Sequence, residues 1–252
     1  MLSIIIASYL KSGLLKFGLA SLFEQNITCE HEIIVLNDGI EDETEDVCRS
    51  FGDKVRCIFT GQRNVPTMRW RCPGYAINIG VKISSGEQLL LAQPEIYYAT
   101  RDCINGLVKC SSADKKVLAV PKGFDDFQGA FLSHLKGNGS WEDYDGKTLK
   151  ELNTELPFCM VMNKDEFSSI GGFDEDFVGY CWDDNDFLNR LLKNDCRIEK
   201  LDHTIVHLFH TRSERVGLKS KKEPFEYNKK VFEDKRDIII RNVGKNWGVL
   251  DK

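Results

Sequence analysis

A chain of 252 residues with nine cysteines and a formal net charge of -5 is long enough for one large domain or two small ones. Its 42% hydrophobic and 29% charged content excludes a disordered or fibrous chain, and its acidic balance argues against nucleic-acid binding, which needs a concentrated basic face. The odd, scattered cysteines without a C-x-x-C pair read as reduced thiols, and no apolar run reaches the length of a membrane span, so a cytoplasmic location is expected, with peripheral membrane contact left open.

The apolar run over residues 2–7 predicts a buried strand that ends at Ser8 and Tyr9. Leu14, Leu15, Leu19, Leu22 and Phe23 then recur at helical spacing over residues 14–25, and residues 32–36 return to a strand that ends in Asn37-Asp38-Gly39. This β-α-β order implies parallel strands with ligands beyond their carboxyl ends, where Ser8, Tyr9, Asn37 and Asp38 fall. A helix over 41–51, a strand over 55–60, a helix over 75–84 and an apolar run over 88–92 continue the alternation through about residue 120. Residues 123–147, rich in Gly, Asp and aromatics, read as a long loop or lid, followed by a strand over 156–163 and a helix over 183–193. A basic segment, Arg212, Arg215 and Lys219 through Lys222, reads as a solvated loop or as a face for phosphates or a membrane surface.

Four blocks, SIIIASY, SLFEQ, EIIVLNDG and AINIGVKISSGEQLLLAQPE, resemble in order and spacing the N-terminal half of family-2 glycosyltransferases with the GT-A fold. The resemblance implies an α/β fold, a single GT-A-type domain over 1–252 with a mostly parallel central sheet flanked by helices. Residues 1–120 would form a nucleotide-binding half and 121–252 an acceptor and metal-binding half. It maps Ala7, Ser8, Tyr9 and Asp38 to the base and ribose of a nucleotide-sugar donor, with Arg71 and Asn78 added to the nucleotide set and Arg69 as a further arginine facing the diphosphate. Asn37 stands where an aspartate is usual.

The family's D-x-D motif has as its counterpart here Gln93-Pro94-Glu95, which keeps one anionic ligand. The block GGFDEDFVGYCWDDNDFLNRLLKND resembles the acceptor region shared by family-2 enzymes and β-1,4-galactosyltransferases. That likeness assigns Asp184 as general base and Trp182, Asp183 and Asp186 to the acceptor. The three aspartates would occupy the first turn of a helix, where the macrodipole favours the ionised form, and Phe187, Leu188, Leu191 and Leu192 would form its apolar face. VHLFHTRSE resembles the galactosyltransferase segment that ends in a metal-binding histidine, giving a ligand set of Glu95, His207 and His210, with His203 structural. Positions three apart face opposite sides of a strand, so this set requires the chain to bend between the two histidines.

Carboxylate with imidazole suits Mn2+ better than calcium or magnesium, which prefer oxygen. The implied reaction is an inverting, in-line transfer of a sugar, with UDP the expected carrier, to a hydroxyl of a glycan or lipid-linked acceptor in surface polysaccharide synthesis. No G-x-G-x-x-G opens the first helix, which argues against a dinucleotide oxidoreductase. Asn37 and Gln93 keep one alternative open: a protein of the same fold that binds a nucleotide sugar or glycan without turnover.

Overall fold

A computed structural model describes residues 1–62, 71–154, 156, 158–210 and 222–250. Arg69 and most of the basic segment, Arg212 to Lys221, lie outside the described residues.

Strands β1 (Leu2–Ser8), β2 (His31–Gly39), β3 (Val55–Gln62) and β4 (Gln88–Ala92) pair in parallel in the order β3-β2-β1-β4. The crossovers are α1 (Ser12–Phe23), α2 (Thr44–Arg49) and α3 (Pro73–Ile83). The central residues of β1, β2 and β4, 4–7, 33–36 and 89–92, are continuously apolar because helices cover both faces. Ile4 and Ile6 pack with Leu15, Leu19 and Leu22 of α1, whereas Ile5, pointing the other way, packs with Tyr75, Ala76 and Ile79 of α3. Beyond β4 the sheet continues as β8-β6-β9-β5, built from β5 (Ile96–Tyr98), β6 (Val117–Asp125), β8 (Cys159–Asn163) and β9 (Arg197–His207). Here β8 runs antiparallel to β4 and β6, and β5 antiparallel to β9, while β6 and β9 are parallel. A short β7 (Lys150–Glu151) pairs with the end of β6. Helices α4 (Cys103–Ala113), α6 (Lys164–Ser169) and α7 (Asp183–Lys193) add to the two covering layers, and α8 (Lys222–Lys235) contacts α7.

Two expectations change. The stretch over 123–147 is not a continuous loop: it finishes β6 and contains α5 (Ala130–Lys136), with Phe131 buried against Tyr97, Trp141 and Tyr144. Buried Asp126 starts that helix by accepting hydrogen bonds from the amides of Phe131 and Leu132. In α7, Phe187, Leu188 and Leu191 are buried but Leu192 is 42% exposed, so the apolar face is narrower than its spacing implied. The division drawn at residue 120 falls inside β6, and one sheet runs through both halves.

Candidate active site

A cleft of about 720 Å³ opens at the carboxyl ends of β1, β2 and β4 and is closed on its far side by the N-terminus of α7 and the end of β9. Backbone pairing brings distant segments of its floor together. The antiparallel register sets Ile96 opposite His207, the Leu208 amide donates to the Glu95 carbonyl at 2.9 Å, and the Asp126 amide donates to the His207 carbonyl at 3.0 Å. The turn holding Glu95 sits against α1 at Gly18, where a Cβ would come within 2.7 Å of the Pro94 carbonyl oxygen, so only glycine permits this approach.

Glu95 is 6% exposed and faces two imidazoles, with its Oε1 3.1 Å from His210 Nε2 and 3.6 Å from His207 Nε2. One donor atom from each of the three residues lies within 4.8 Å of the others. The bend that the spacing demanded exists: β9 stops at His207, and the two rings come together with centroids 5.2 Å apart. Burial alone would raise the pKa of Glu95, but hydrogen bonds and charge from His207 and His210 outweigh it and hold the carboxyl well below the usual range. For His207 burial acts downward, and Glu95 and Asp125 more than offset it, raising its pKa. An anionic oxygen with two imidazole nitrogens converging in a cleft fits a transition-metal ion with coordination positions left for a ligand.

The segment leading into α7 approaches the cleft through backbone that is rarely adopted. Cys181 and Trp182 have φ of +70° and +72°, which costs energy for residues with a Cβ. Buried Asn228 of α8 holds this conformation, its amide donating to the carbonyls of Val178, Tyr180 and Cys181, while Phe225 and Phe232 pack on the Trp182 ring. Trp182, Asp183 and Asp184 line the cleft. Burial pushes Asp183 up to about 6 despite hydrogen bonds from the backbone amides of Asp183 and Asp184. Asp184 is raised well above the usual carboxylate range, first by burial and then by the charge of Asp183. This reverses the expected effect of the helix macrodipole: two carboxylates packed together lose more by desolvation than a helix terminus returns. Asp186 departs from its expected place at the acceptor. It is fully buried, paired with Arg190 at 2.7 Å and with Arg241 at 2.7 Å, and ties α7 to the C-terminal segment.

Of the residues expected to meet a nucleotide, Ala7, Tyr9, Asp38 and Arg71 line the cleft, with the Arg71 guanidinium 3.8 Å above the Tyr75 ring. Ser8 does not face the cleft: it is fully buried and within hydrogen-bond distance of Thr44. Nor does Asn78, whose fully buried amide is spent on Phe173 and Glu175 and fixes the loop ahead of α7. Asn37 also lies outside the cleft lining, so its departure from the aspartate pattern falls in packed interior. His203 packs against Gly106 of α4, in keeping with a structural residue. The sequence reading passed over Asp125, Lys11 and Phe158 in the cleft and Asn228 behind it. A second cavity of about 610 Å³ with a mixed lining adjoins the cleft, sharing Leu152, Leu156, Phe158 and Asn185 and extending over an apolar wall of Val120, Leu188 and Ile198 and over polar Thr154 and Lys200.

Comparison with known proteins agrees with this architecture. Among curated relatives, the validoxylamine A glucosyltransferase of Streptomyces hygroscopicus subsp. jinggangensis is 25% identical over 233 residues, covering 76% of this chain and 51% of the relative. An uncharacterized glycosyltransferase of Rickettsia typhi is 33% identical over 183 residues, covering 69% of this chain and 54% of its own. The chain therefore spans about half the length of these relatives. S. aureus TarS 1–349 in complex with UDP-GlcNAc superposes with a TM-score of 0.59 at 15% identity, over 91% of this chain and 64% of that one. The mannosyltransferase PcManGT from Pyrobaculum calidifontis, in complex with GDP-Man and Mn2+, gives 0.56 at 16% identity, over 84% and 57%. At these identities the likeness is one of fold, a single α/β GT-A domain with a mostly parallel sheet. A family model described as the N-terminal domain of galactosyltransferase matches residues 154–214. The model of glycosyl transferase family 2 matches residues 3–168, from β1 through most of α6, and the chain belongs to that family.

Proposed function

We propose that the chain is an inverting hexosyltransferase that moves a sugar from a nucleotide-sugar donor to a hydroxyl of a glycan or lipid-linked acceptor. The observation that carries this reading is that the Glu95, His207 and His210 cluster and the Asp184 carboxylate line one cleft. Ala7, Tyr9 and Asp38 take the base and ribose, and Arg71 reaches toward the diphosphate. Asp184 accepts the proton of the acceptor hydroxyl as that oxygen bonds to the anomeric carbon and the bond from this carbon to the diphosphate oxygen breaks. The raised pKa of Asp184 makes its ionised form a stronger proton acceptor than an ordinary aspartate. Trp182 and Asp183 orient the acceptor. Glu95, His207 and His210 would hold a divalent cation, manganese best matching their mixed donors, and it would supply charge neutralisation for the departing diphosphate.

Support for the donor class comes from the structural neighbours bound to UDP-GlcNAc and to GDP-Man with Mn2+. A UDP-linked donor is the form we favour. The apolar wall of the cavity beside Asn185 favours an acceptor with a hydrocarbon or aromatic aglycone. Nine free cysteines fit a reducing compartment, so the proposal includes a cytoplasmic setting and a part in surface polysaccharide assembly. Among the described residues no helix is long and apolar enough to cross a membrane, and any membrane contact is peripheral in this reading.

The test is to incubate purified protein with UDP-, GDP- and dTDP-sugars, with manganese or with a chelator. One donor class should raise the melting temperature and be consumed only with metal present. Stabilisation without consumption across acceptors would favour a binding protein of the same fold, and neither effect with any donor would refute the proposal.

A further inference from the structure

We propose that Asp125, to which neither the family pattern nor the ligand cluster gives a part, is a positioning residue that sets the tautomer and aim of His207. The inference deepens the metal reading given above. Asp125 ends β6 and His207 ends β9, and the parallel register of these strands places the two residues side by side. Asp125 Oδ1 lies 3.0 Å from His207 Nδ1, on the opposite side of the ring from Nε2, which points to Glu95 at 3.6 Å.

A carboxylate can only accept, so the proton of this contact belongs to Nδ1. In the neutral ring the lone pair then lies on Nε2, the atom turned toward Glu95 and His210. The ring cannot drift far, because the backbone of His207 and Leu208 is held from two directions by the Asp126 amide and the Glu95 carbonyl. Asp125 is not itself one of the converging donors, since its near oxygen is engaged on the far side of the imidazole.

His210 provides the contrast. Its Nδ1 is buried and has no hydrogen-bond partner among the described residues, and its contact with a carboxylate is made by Nε2, 3.1 Å from Glu95, so no acceptor behind the ring holds a proton on Nδ1 and leaves Nε2 free. The histidines are therefore unequal: His207 is aimed before any cation arrives, and His210 is aimed by the cation and Glu95. Hydrogen-bonded carboxylates behind metal-binding imidazoles are worth 10- to 100-fold in metal affinity. Removal of Asp125 should thus act through His207 alone.

The experiment uses the full chain carrying Asp125→Ala, Asp125→Asn and, for comparison, His210→Ala. Free Mn2+ is titrated by electron paramagnetic resonance without donor, and the His207 tautomer is read from imidazole nitrogen shifts in the metal-free protein. Asp125→Ala should weaken Mn2+ binding by about 10- to 100-fold. Asp125→Asn should lose less, because its amide oxygen still accepts from Nδ1, and His210→Ala should lose more than either. The metal-free wild type should show His207 protonated on Nδ1 and the alanine variant a mixture. Unchanged Mn2+ affinity in Asp125→Ala overturns the proposal, as does an Nε2-protonated His207 in the wild type. A loss equal to that of His210→Ala also overturns it, because Asp125 would then be a ligand. Failure of the wild type to bind Mn2+ would defeat the metal reading instead, and the tautomer measurement would still decide what Asp125 does.

Discussion

Asp183→Asn is expected to stabilise the protein at neutral pH, although it removes a charged group from the proposed active site. Asp183 is 6% exposed and its carboxyl is pushed from an ordinary 3.8 up to about 6. The unfolded chain releases this proton more readily than the folded one, so folding stability is intact below about pH 4 and falls as the pH rises through 6. With 1.36 kcal/mol for each pKa unit, the full cost above pH 6 is roughly 3 kcal/mol. Asparagine keeps the shape and an acceptor oxygen for the amides at the start of α7, and it also frees Asp184 from the neighbouring charge that raises it. For a chain of this size the gain corresponds to a melting temperature higher by on the order of 5–10 °C. The assay is thermal unfolding of both proteins at pH 4 and pH 7.5. The variant should match the wild type at the lower pH and exceed it at the higher. A variant equally or less stable at pH 7.5 would show that the charged carboxylate is well solvated in the cleft, and the argument from burial would fail.

Asp184→Asn should leave donor binding nearly unchanged while transfer falls by at least about two orders of magnitude, checked by a donor titration beside a transfer assay. Because the base must be ionised and Asp184 is raised by burial and by Asp183, kcat/KM should rise with pH along a limb lying well above the ordinary aspartate range; a limb near pH 4 would exclude Asp184 as the base. Asn228→Ala removes the donor to the carbonyls of Val178, Tyr180 and Cys181 and should destabilise by about 1–2 kcal/mol, with a raised acceptor KM and unchanged donor affinity, measured by denaturant unfolding and steady-state kinetics. For acceptors of a given sugar, an octyl glycoside should show a lower KM than the free sugar, and Ile198→Gln in the adjoining cavity should erase that preference.

The N-terminal half was legible because buried parallel strands and their crossover helices write simple patterns: residues 2–7 and 32–36 are apolar runs, and Leu15, Leu19 and Leu22 recur on one helical face. α7 was legible to its limits, since acidic residues open it and apolar spacing runs through it. The strand β5 and the helix α5 were not, because a three-residue strand is too short for a period and a seven-residue helix between glycines draws its support from Asp126 and aromatic packing. Within the site, the likeness of Gln93-Pro94-Glu95 and VHLFHTRSE to known ligand segments flagged the cluster of Glu95, His207 and His210, but which way a side chain points is decided by tertiary packing. Thus Ser8, Asn78 and Asp186 sit beside cleft-lining neighbours and turn inward to Thr44, Phe173 and Arg241. Asp125 and Asn228 carried no local signal, for their partners lie far off in sequence.

The pairing of Ile96 with His207 also bears on the order in which the molecule is put together. The two residues are separated by nearly half the chain, whereas β1, β2 and β3 meet through short local crossovers. Loop closure makes distant pairings entropically slow, so β1, β2 and β3 can consolidate while β9, which ends at His207, and the residues after it are still unplaced. In a half-folded chain the cleft ends of β1 and β2 would then stand formed before Glu95 meets His207 and His210. On that order the proposed cation site is completed after the pocket proposed for the nucleoside.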